Sequence, residues 1–424
     1  MRKKYIFKAL VETKRKFIET LTPGNMKNHD GKSFTRKRSL ALGCLLTIIL
    51  RCSPCGLQIR LDDYYREIGH KEKTVSKQAF SKARTALDPG VVENSFRVTA
   101  KILSECEDLD LFNGKFRLCA MDGSDVVLDN ADELLSYFGG SGRNRDCATA
   151  MASLCYDPLN NIILDGGLYP YGFSEREAAR NHFSAVSQLA LPEGAVNLYI
   201  ADRGYPSKEL FAEMIDRGMY FIMRVRRKFN TDFDAVEREE RVSFLHDGKT
   251  YQVRVFNIIL DSGEQEILVT NLSEEDLTYD EAGEMYFKRW GIETKFDSLK
   301  NNLELENMSG RRVVTTYQDF WAKLDLANTT AALEFATNEV IEKETGNKGN
   351  KHKQTTNESR LITKFSDRYI ELLANGDPDA RTALFDELVA DIARRPVEVK
   401  PGRRAERKTP RKKKFCDRRK RSLR

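Results

Sequence analysis

A chain of 424 residues with 40% hydrophobic content can bury more than one structural unit, which excludes a small scaffold held together by staples alone. Its 8 Cys are scattered, so free thiols in a reducing compartment are expected, and the longest apolar run, Leu40–Leu50, is about half of the ~20 residues a membrane span needs. The net charge of +6 hides a segregation: 12 Lys/Arg against 3 Asp/Glu in Met1–Arg38 and 13 against 2 in Pro401–Arg424 leave −14 for the region between.

Basic ends on an acidic middle suit arms that neutralise a polyanion around a carboxylate-bearing centre. Solvated tails account for the same runs equally well. Met1–Phe17 has basic residues but no continuous apolar stretch of the secretory kind, so a cytoplasmic location without a membrane is expected. Cys52-Ser-Pro-Cys55 has zinc-knuckle spacing on one side only, and a tetrahedral site needs four ligands.

In chain order, residues 1–110 read as a helical N-terminal region, with helical spacing clear from Ser39 to Leu50 and a Lys-rich approach at His70–Lys77. Ser76 is placed to cap the helix that follows, whose Lys77, Lys82 and Arg84 suit phosphates or, equally, a solvated face. At Phe116 the period changes. Phe116–Met121 reads as a buried strand ending in Asp122-Gly-Ser-Asp125, with further strands at Met151–Tyr156 and Asn161–Tyr169. A helix over Phe173–Leu191 precedes the strand Ala195–Ala201, which delivers Asp202, and helix resumes over Ser207–Arg217.

Residues 111–219 thus form the first part of an α/β core, and 220–275, with turns at Asp247-Gly and Ser262-Gly, read as a β-rich insertion. Helices over Tyr279–Leu303 and Tyr317–Glu344 make a second core part at 276–345. A polar linker opens a helical C-terminal region at 346–400, and 401–424 is the basic tail.

Two carboxylates where strands end and a third on a later helix are what a two-metal phosphoryl-transfer site requires. With 5 His dispersed along the chain, imidazole-based zinc catalysis has little to draw on. Singly, Asp122 and Asp202 are also explained as turn and cap residues, and Glu293 as a solvated helix residue. The run Tyr286-Phe-Lys-Arg289-Trp-Gly-Ile-Glu293-Thr-Lys-Phe-Asp-Ser-Leu-Lys300 adds a pattern: on one helix, Tyr286, Arg289, Glu293 and Lys300 share a face. Such a stripe suits a carboxylate on metal with donors on adjacent phosphates; a salt-bridged exposed stripe is the alternative.

The spacing of Tyr286, Arg289, Glu293 and Lys300 resembles the signature of the IS4-family bacterial insertion-sequence transposases. In the same order, Met121-Asp122-Gly-Ser resembles that family's first-Asp motif and Ala201-Asp202-Arg-Gly-Tyr its second, and Gln78–Arg84 resembles its helical N-terminal region. The likeness spans roughly residues 76–330. It implies a ribonuclease-H-like core with a β-rich insertion, Asp122, Asp202 and Glu293 binding two Mg²⁺ or Mn²⁺ ions, and Tyr286, Arg289 and Lys300 contacting transposon-end DNA. It further implies cut-and-paste transposition of double-stranded DNA by a homodimer bound to the ends. A metal-dependent nuclease on the same fold, and a domesticated noncatalytic DNA-binding protein, stay open as alternatives.

Overall fold

The computed structural model describes residues 1–22, 24, 40–52, 56–69, 74–142, 145–259, 263–346 and 350–399. Cys55 of the half zinc motif, His70–Lys73 and the basic tail lie outside them. The N-terminal basic segment is in part a core helix rather than an arm: α1 (Lys3–Glu19) buries Ile6, Phe7, Leu10 and Val11. Those four positions make one apolar helical face, masked in the composition by the lysines between them.

Four helices follow, α2 (Leu42–Leu50), α3 (Leu57–Glu67), α4 (Lys77–Ala86) and α5 (Pro89–Ser104). The Ser76 hydroxyl accepts from Ala79 N at 3.3 Å and caps α4, while Pro89 in the first turn and the Asp88 cap start α5. Next come β1 (Phe116–Val127), α6 (Asp132–Phe138), β2 (Gly140–Ser141), β3 (Cys147–Asp157), β4 (Ile162–Pro170), α7 (Glu175–Val186), β5 (Val196–Ala201), α8 (Lys208–Asp216) and β6 (Tyr220–Val225). The short α9 (Thr231–Asp234) leads into β7 (Glu239–His246), β8 (Lys249–Ile259) and β9 (Gln265–Thr270).

The single helix expected over Tyr279–Leu303 is two, α10 (Tyr279–Phe287) and α11 (Trp290–Asn301). Tight i→i−3 bonds from Arg289 N to Tyr286 O and from Gly291 N to Lys288 O, both 3.0 Å, make the break. Tyr286 and Glu293 therefore do not share one helical face. After α12 (Val313–Thr345) come β10 (Gln354–Thr355), α13 (Glu358–Ala374), α14 (Pro378–Ala393) and β11 (Val397–Glu398). Part of the expected linker is thus ordered: β10 pairs antiparallel with β11, and Asn338 Oδ1 accepts from Thr356 N at 2.9 Å.

The chain divides into two compact units. The helical one gathers the described residues of Met1–Cys106, Val126–Ala150 and Ser298–Arg424, so α1 and α14 share one body. Within it α1, α2, α4, α5, α6, α13 and α14 pack against α12. The centre of α12 is buried even at polar positions, each of which is satisfied. Asp325 accepts from Lys14 Nζ at 2.6 Å and from Ser95 Oγ at 3.2 Å. Arg84, expected among phosphate-facing residues, is instead buried, donating to Gln318 Oε1 at 2.8 Å and Asp319 Oδ1 at 2.7 Å. Lys77 and Lys82 stay exposed.

The second unit comprises Glu107–Asp125 and Met151–Asp297 and is built on a mixed sheet. The strands run β4–β3–β1–β5–β6–β9–β8–β7. β1, β5 and β6 are parallel; β9, β8 and β7 continue antiparallel. The expected insertion at 220–275 is thereby cut, because Tyr220–Val225 belongs to the parallel set. Strands covered on both faces read as largely apolar runs, as Phe116–Met121 does around its buried Arg117. The core joins Phe116, Leu118, Leu198, Ile200, Ile222, Phe256 and Leu268 to Met285 and Tyr286 of α10.

Candidate active site

Parallel pairing sets Met121 of β1 opposite Ala201 of β5, so Asp122 and Asp202 follow at one level on neighbouring strands. Adjacent strands lie about 4.8 Å apart, which makes the two carboxylates neighbours by construction. Each accepts from the next residue's amide: Gly123 N at 2.9 Å on Asp122 Oδ1, Arg203 N at 2.7 Å on Asp202 Oδ1.

The Tyr286 hydroxyl donates to Asp202 Oδ1 at 3.3 Å, and Arg289 Nη2 donates to Glu293 Oε1 at 3.0 Å. Tyr286 and Arg289 are each 3% exposed. The Arg289 guanidinium lies over the rings of Tyr286 and Trp290, 5.7 and 5.1 Å from their centroids. Burial, with Asp202 adding to it, holds the Tyr286 phenol well above its ordinary range, so it is a donor at any ordinary pH. Lys300 lies nearly two turns beyond Glu293 on α11 and is partly buried.

The start of α11 is fixed by close approach. A Cβ at Gly291 would stand 2.8 Å from the Pro158 Cβ, and Lys295 Nζ donates to Asn161 Oδ1 at 2.8 Å. The β3–β4 turn is thus the seat that presents Glu293.

Electrostatically the site is crowded with negative charge. Burial pushes the Asp122 carboxyl up to about 6; Arg289 and the Gly123 amide oppose this, while Glu293 and Glu175 add to it. Glu175, at the first turn of α7, was not singled out from the sequence, because only the fold brings it beside Gly123 and Gly204. Also missed was a cleft of about 630 Å³ beyond Asp202, lined by Arg203, Arg224, Arg226 and Arg227. The sequence signal for it was the cluster Arg224-Val-Arg226-Arg227 at the end of β6. Arg224 is held by Glu264 at 2.9 Å and Glu266 at 2.8 Å, while Arg226 and Arg227 are exposed.

Ser153, His182 and Asp165 form a second linked set. Ser153 Oγ is 2.8 Å from His182 Nε2, and His182 Nδ1 is 2.7 Å from Asp165 Oδ2. All three are buried, so this is a structural relay rather than a nucleophile open to substrate.

The donor chemistry around Asp122 fits a hard divalent cation: the carboxylates are oxygen donors, and burial among like charges is relieved by a bound cation. Burial, with the Asp122 and Glu175 carboxylates adding to it, holds the Tyr205 phenol, 1% exposed, well above its ordinary range. Among the described residues, no group of three or more His, Cys, Asp or Glu stands together closely enough to hold a metal ion as it is. Glu293 is occupied by Arg289.

Acidic side chains side by side just past the last paired residues of two parallel strands, Asp122 within β1 and Asp202 after β5, with a third on a following helix, are the arrangement of enzymes that act on phosphodiesters. The family model for the transposase DDE domain matches residues 113–328, more than half of the chain, and the chain belongs to that family. It is similar in structure to a piggyBac transposase, solved by cryo-EM as a synaptic complex with hairpin DNA. That likeness covers 94% of this chain and 84% of that one, at 11% sequence identity and a TM-score of 0.46. No curated protein matches the chain. Among the described residues no helix is long and apolar enough to cross a membrane.

Proposed function

We propose that this transposase-family chain binds the terminal inverted repeats of a mobile element and carries out divalent-metal-dependent strand cleavage and strand transfer, in the cut-and-paste manner. The observation that carries this is the register of β1 and β5, whose last paired residues, Met121 and Ala201, directly precede Asp122 and Asp202, with α10 and α11 bringing Tyr286 and the Arg289–Glu293 pair to them. Strands β4–β3–β1–β5–β6 support a ribonuclease-H-like core, and the Tyr286, Arg289, Glu293 and Lys300 spacing supports the IS4 family.

In this reading Asp122, Asp202 and Glu293 hold the ions, Mg²⁺ or Mn²⁺. Bound there, two such ions would activate an attacking water or hydroxyl and stabilise the leaving oxygen. The chain's own residues position. Tyr286 orients Asp202 by its hydrogen bond, Arg289 retains Glu293 until the site fills, and the arginines beyond Asp202 offer charge to phosphates. The protein works on double-stranded DNA, both transposon ends and target, as a homodimer in the DNA complex, within the cytoplasm at the nucleoid.

Incubation with labelled transposon ends and a target plasmid tests the reading. Joined products are expected. Cut products alone would make it a nuclease, and bound DNA without cleavage a noncatalytic binder. Asp122→Ala, Asp202→Ala and Glu293→Ala should each lower cleavage and joining by about 1000-fold or more while end binding persists, since several kcal/mol of charge stabilisation goes with the ions.

A further inference from the structure

The connection from β4 to α7 carries Tyr169, Tyr171 and Phe173, whereas turns are ordinarily built from Gly, Pro, Asn, Asp and Ser. Its backbone is fixed. Phe173 N donates to Pro170 O at 3.1 Å, and Gly172, at φ +79°, takes the third position of a type II turn, where a positive φ is required. On either side of the tip the rings of Tyr169 and Phe173 stack flat, with centroids 4.4 Å apart and planes 5° from parallel. Asn181 Nδ2 donates to the Tyr169 hydroxyl at 3.1 Å. Tyr171, at the tip, is left 44% exposed.

This aromatic turn is tied to the acidic turns of the sheet. Two residues past Phe173, the Glu175 carboxylate lies against Gly204 and Gly123, which follow Asp202 and Asp122. Arg176 clamps the same stretch to the Asp202 turn, donating from Nε to Tyr205 O at 3.0 Å and from Nη2 to Pro206 O at 3.2 Å. Four residues of chain keep the Tyr171 backbone within about 14 Å of that of Glu175. The carboxylates of Asp122, Asp202 and Glu175 repel phosphate, so a strand drawn to them is best held alongside by a neutral contact. A base stacked on an aromatic ring is such a contact, and it tolerates any sequence because every base has a π-face.

We propose, on the transposase reading above, that Tyr171 is a stacking platform for an unpaired base of the strand brought to Asp122 and Asp202. The Tyr169–Phe173 stack and the Gly172 turn hold the platform rigid, and the Arg176 clamp sets its place relative to Asp202. The DNA at the acidic turns is then locally single-stranded, although the molecule that carries it is a duplex.

The test uses the full chain in EDTA, so that nothing is cut, with a short single-stranded oligonucleotide carrying 2-aminopurine as the probe and the same strand annealed to its complement as the control. Affinity and quenching of the 2-aminopurine fluorescence are the two readouts. Tyr171→Ala should weaken single-strand binding by about fivefold or more and relieve the quenching, with duplex affinity unchanged. Tyr171→Phe keeps the ring and should keep both signals. Because the side chain is exposed, both variants should melt as wild type does. Wild-type affinity and quenching in Tyr171→Ala would overturn the assignment, and equal losses on strand and duplex would do the same by making the ring a general surface contact. Failure of the transposase reading looks different: the wild-type chain would then bind neither strand nor duplex.

Discussion

Arg289 grips Glu293 from inside the protein: the guanidinium side chain is 3% exposed, the carboxylate 40%, and 3.0 Å separates Nη2 from Oε1. Arg289→Ala should therefore weaken transposon-end complexes and depress joining more than the first nick. Water can attack a loosely held phosphate, whereas a strand end must be kept near its target, where a misplacement of about 1 Å can cost ~100-fold. Nicked DNA should accumulate relative to joined product in a time course on labelled ends. Equal losses of both steps with normal end binding would remove the positioning role.

Asp122 titrates at about 6 in the folded chain, against an ordinary value near ~3.9. Between those values the folded state binds more protons than the unfolded one, so stability falls as pH rises through that window and the loss is complete above it. Asp122→Asn removes this penalty. In EDTA at pH 7.5 or so it should exceed wild type by up to about 3 kcal/mol, with the difference fading towards pH 4 or so. Thermal denaturation of both proteins across this range is the measurement, and parallel curves would place the perturbed carboxyl elsewhere.

Lys14 and Asp325 form an ion pair with side chains 2% and 1% exposed. Burial pulls Lys14 below the ordinary lysine range, with Asp325 opposing that pull. Lys14→Met strands a buried carboxylate and should cost about 3–5 kcal/mol. Adding Asp325→Asn to that variant neutralises the stranded charge and should restore more than half of the loss in chemical denaturation. No recovery would show that Asp325 matters to its hydroxyl partners rather than to Lys14.

The basic tail, with 13 Lys/Arg in Pro401–Arg424, should supply attraction to phosphate without regard to sequence. Deleting it should weaken binding to any DNA and flatten the salt dependence while leaving base preference unchanged. Binding isotherms on inverted-repeat and random duplexes at several salt concentrations check this. Selective loss of inverted-repeat binding would make the tail a reader of sequence.

The elements legible in the sequence are those whose burial is local. Buried parallel strands such as Phe116–Met121 and Val196–Ala201 announce themselves as apolar runs, and their ends hand over Asp122 and Asp202. What stayed hidden depends on distant partners. The break between α10 and α11 goes with the approach of Gly291 to Pro158, which periodicity cannot contain. Arg84 reads as a phosphate contact until Asp319, 235 positions away, claims it. Glu175 looks like any acidic helix start until the sheet carries Gly123 and Gly204 beneath it. In α1 the apolar face was present, but five lysines and an arginine in the same seventeen residues outweighed it.

The packing of α1 on α12 has a consequence for how the protein is made. Lys14 meets Asp325 across 311 positions of chain, so α1 leaves the ribosome long before its partner exists. At about 5–20 residues per second the wait is roughly 15–60 s, during which Ile6, Phe7, Leu10 and Val11 have no finished surface to cover them. Truncated translation products that stop before α12 lack the helix that α1, α2, α4 and α5 share, and a message cut short yields no partial helical unit. Any nascent chain must extend through α12 before α1 can close.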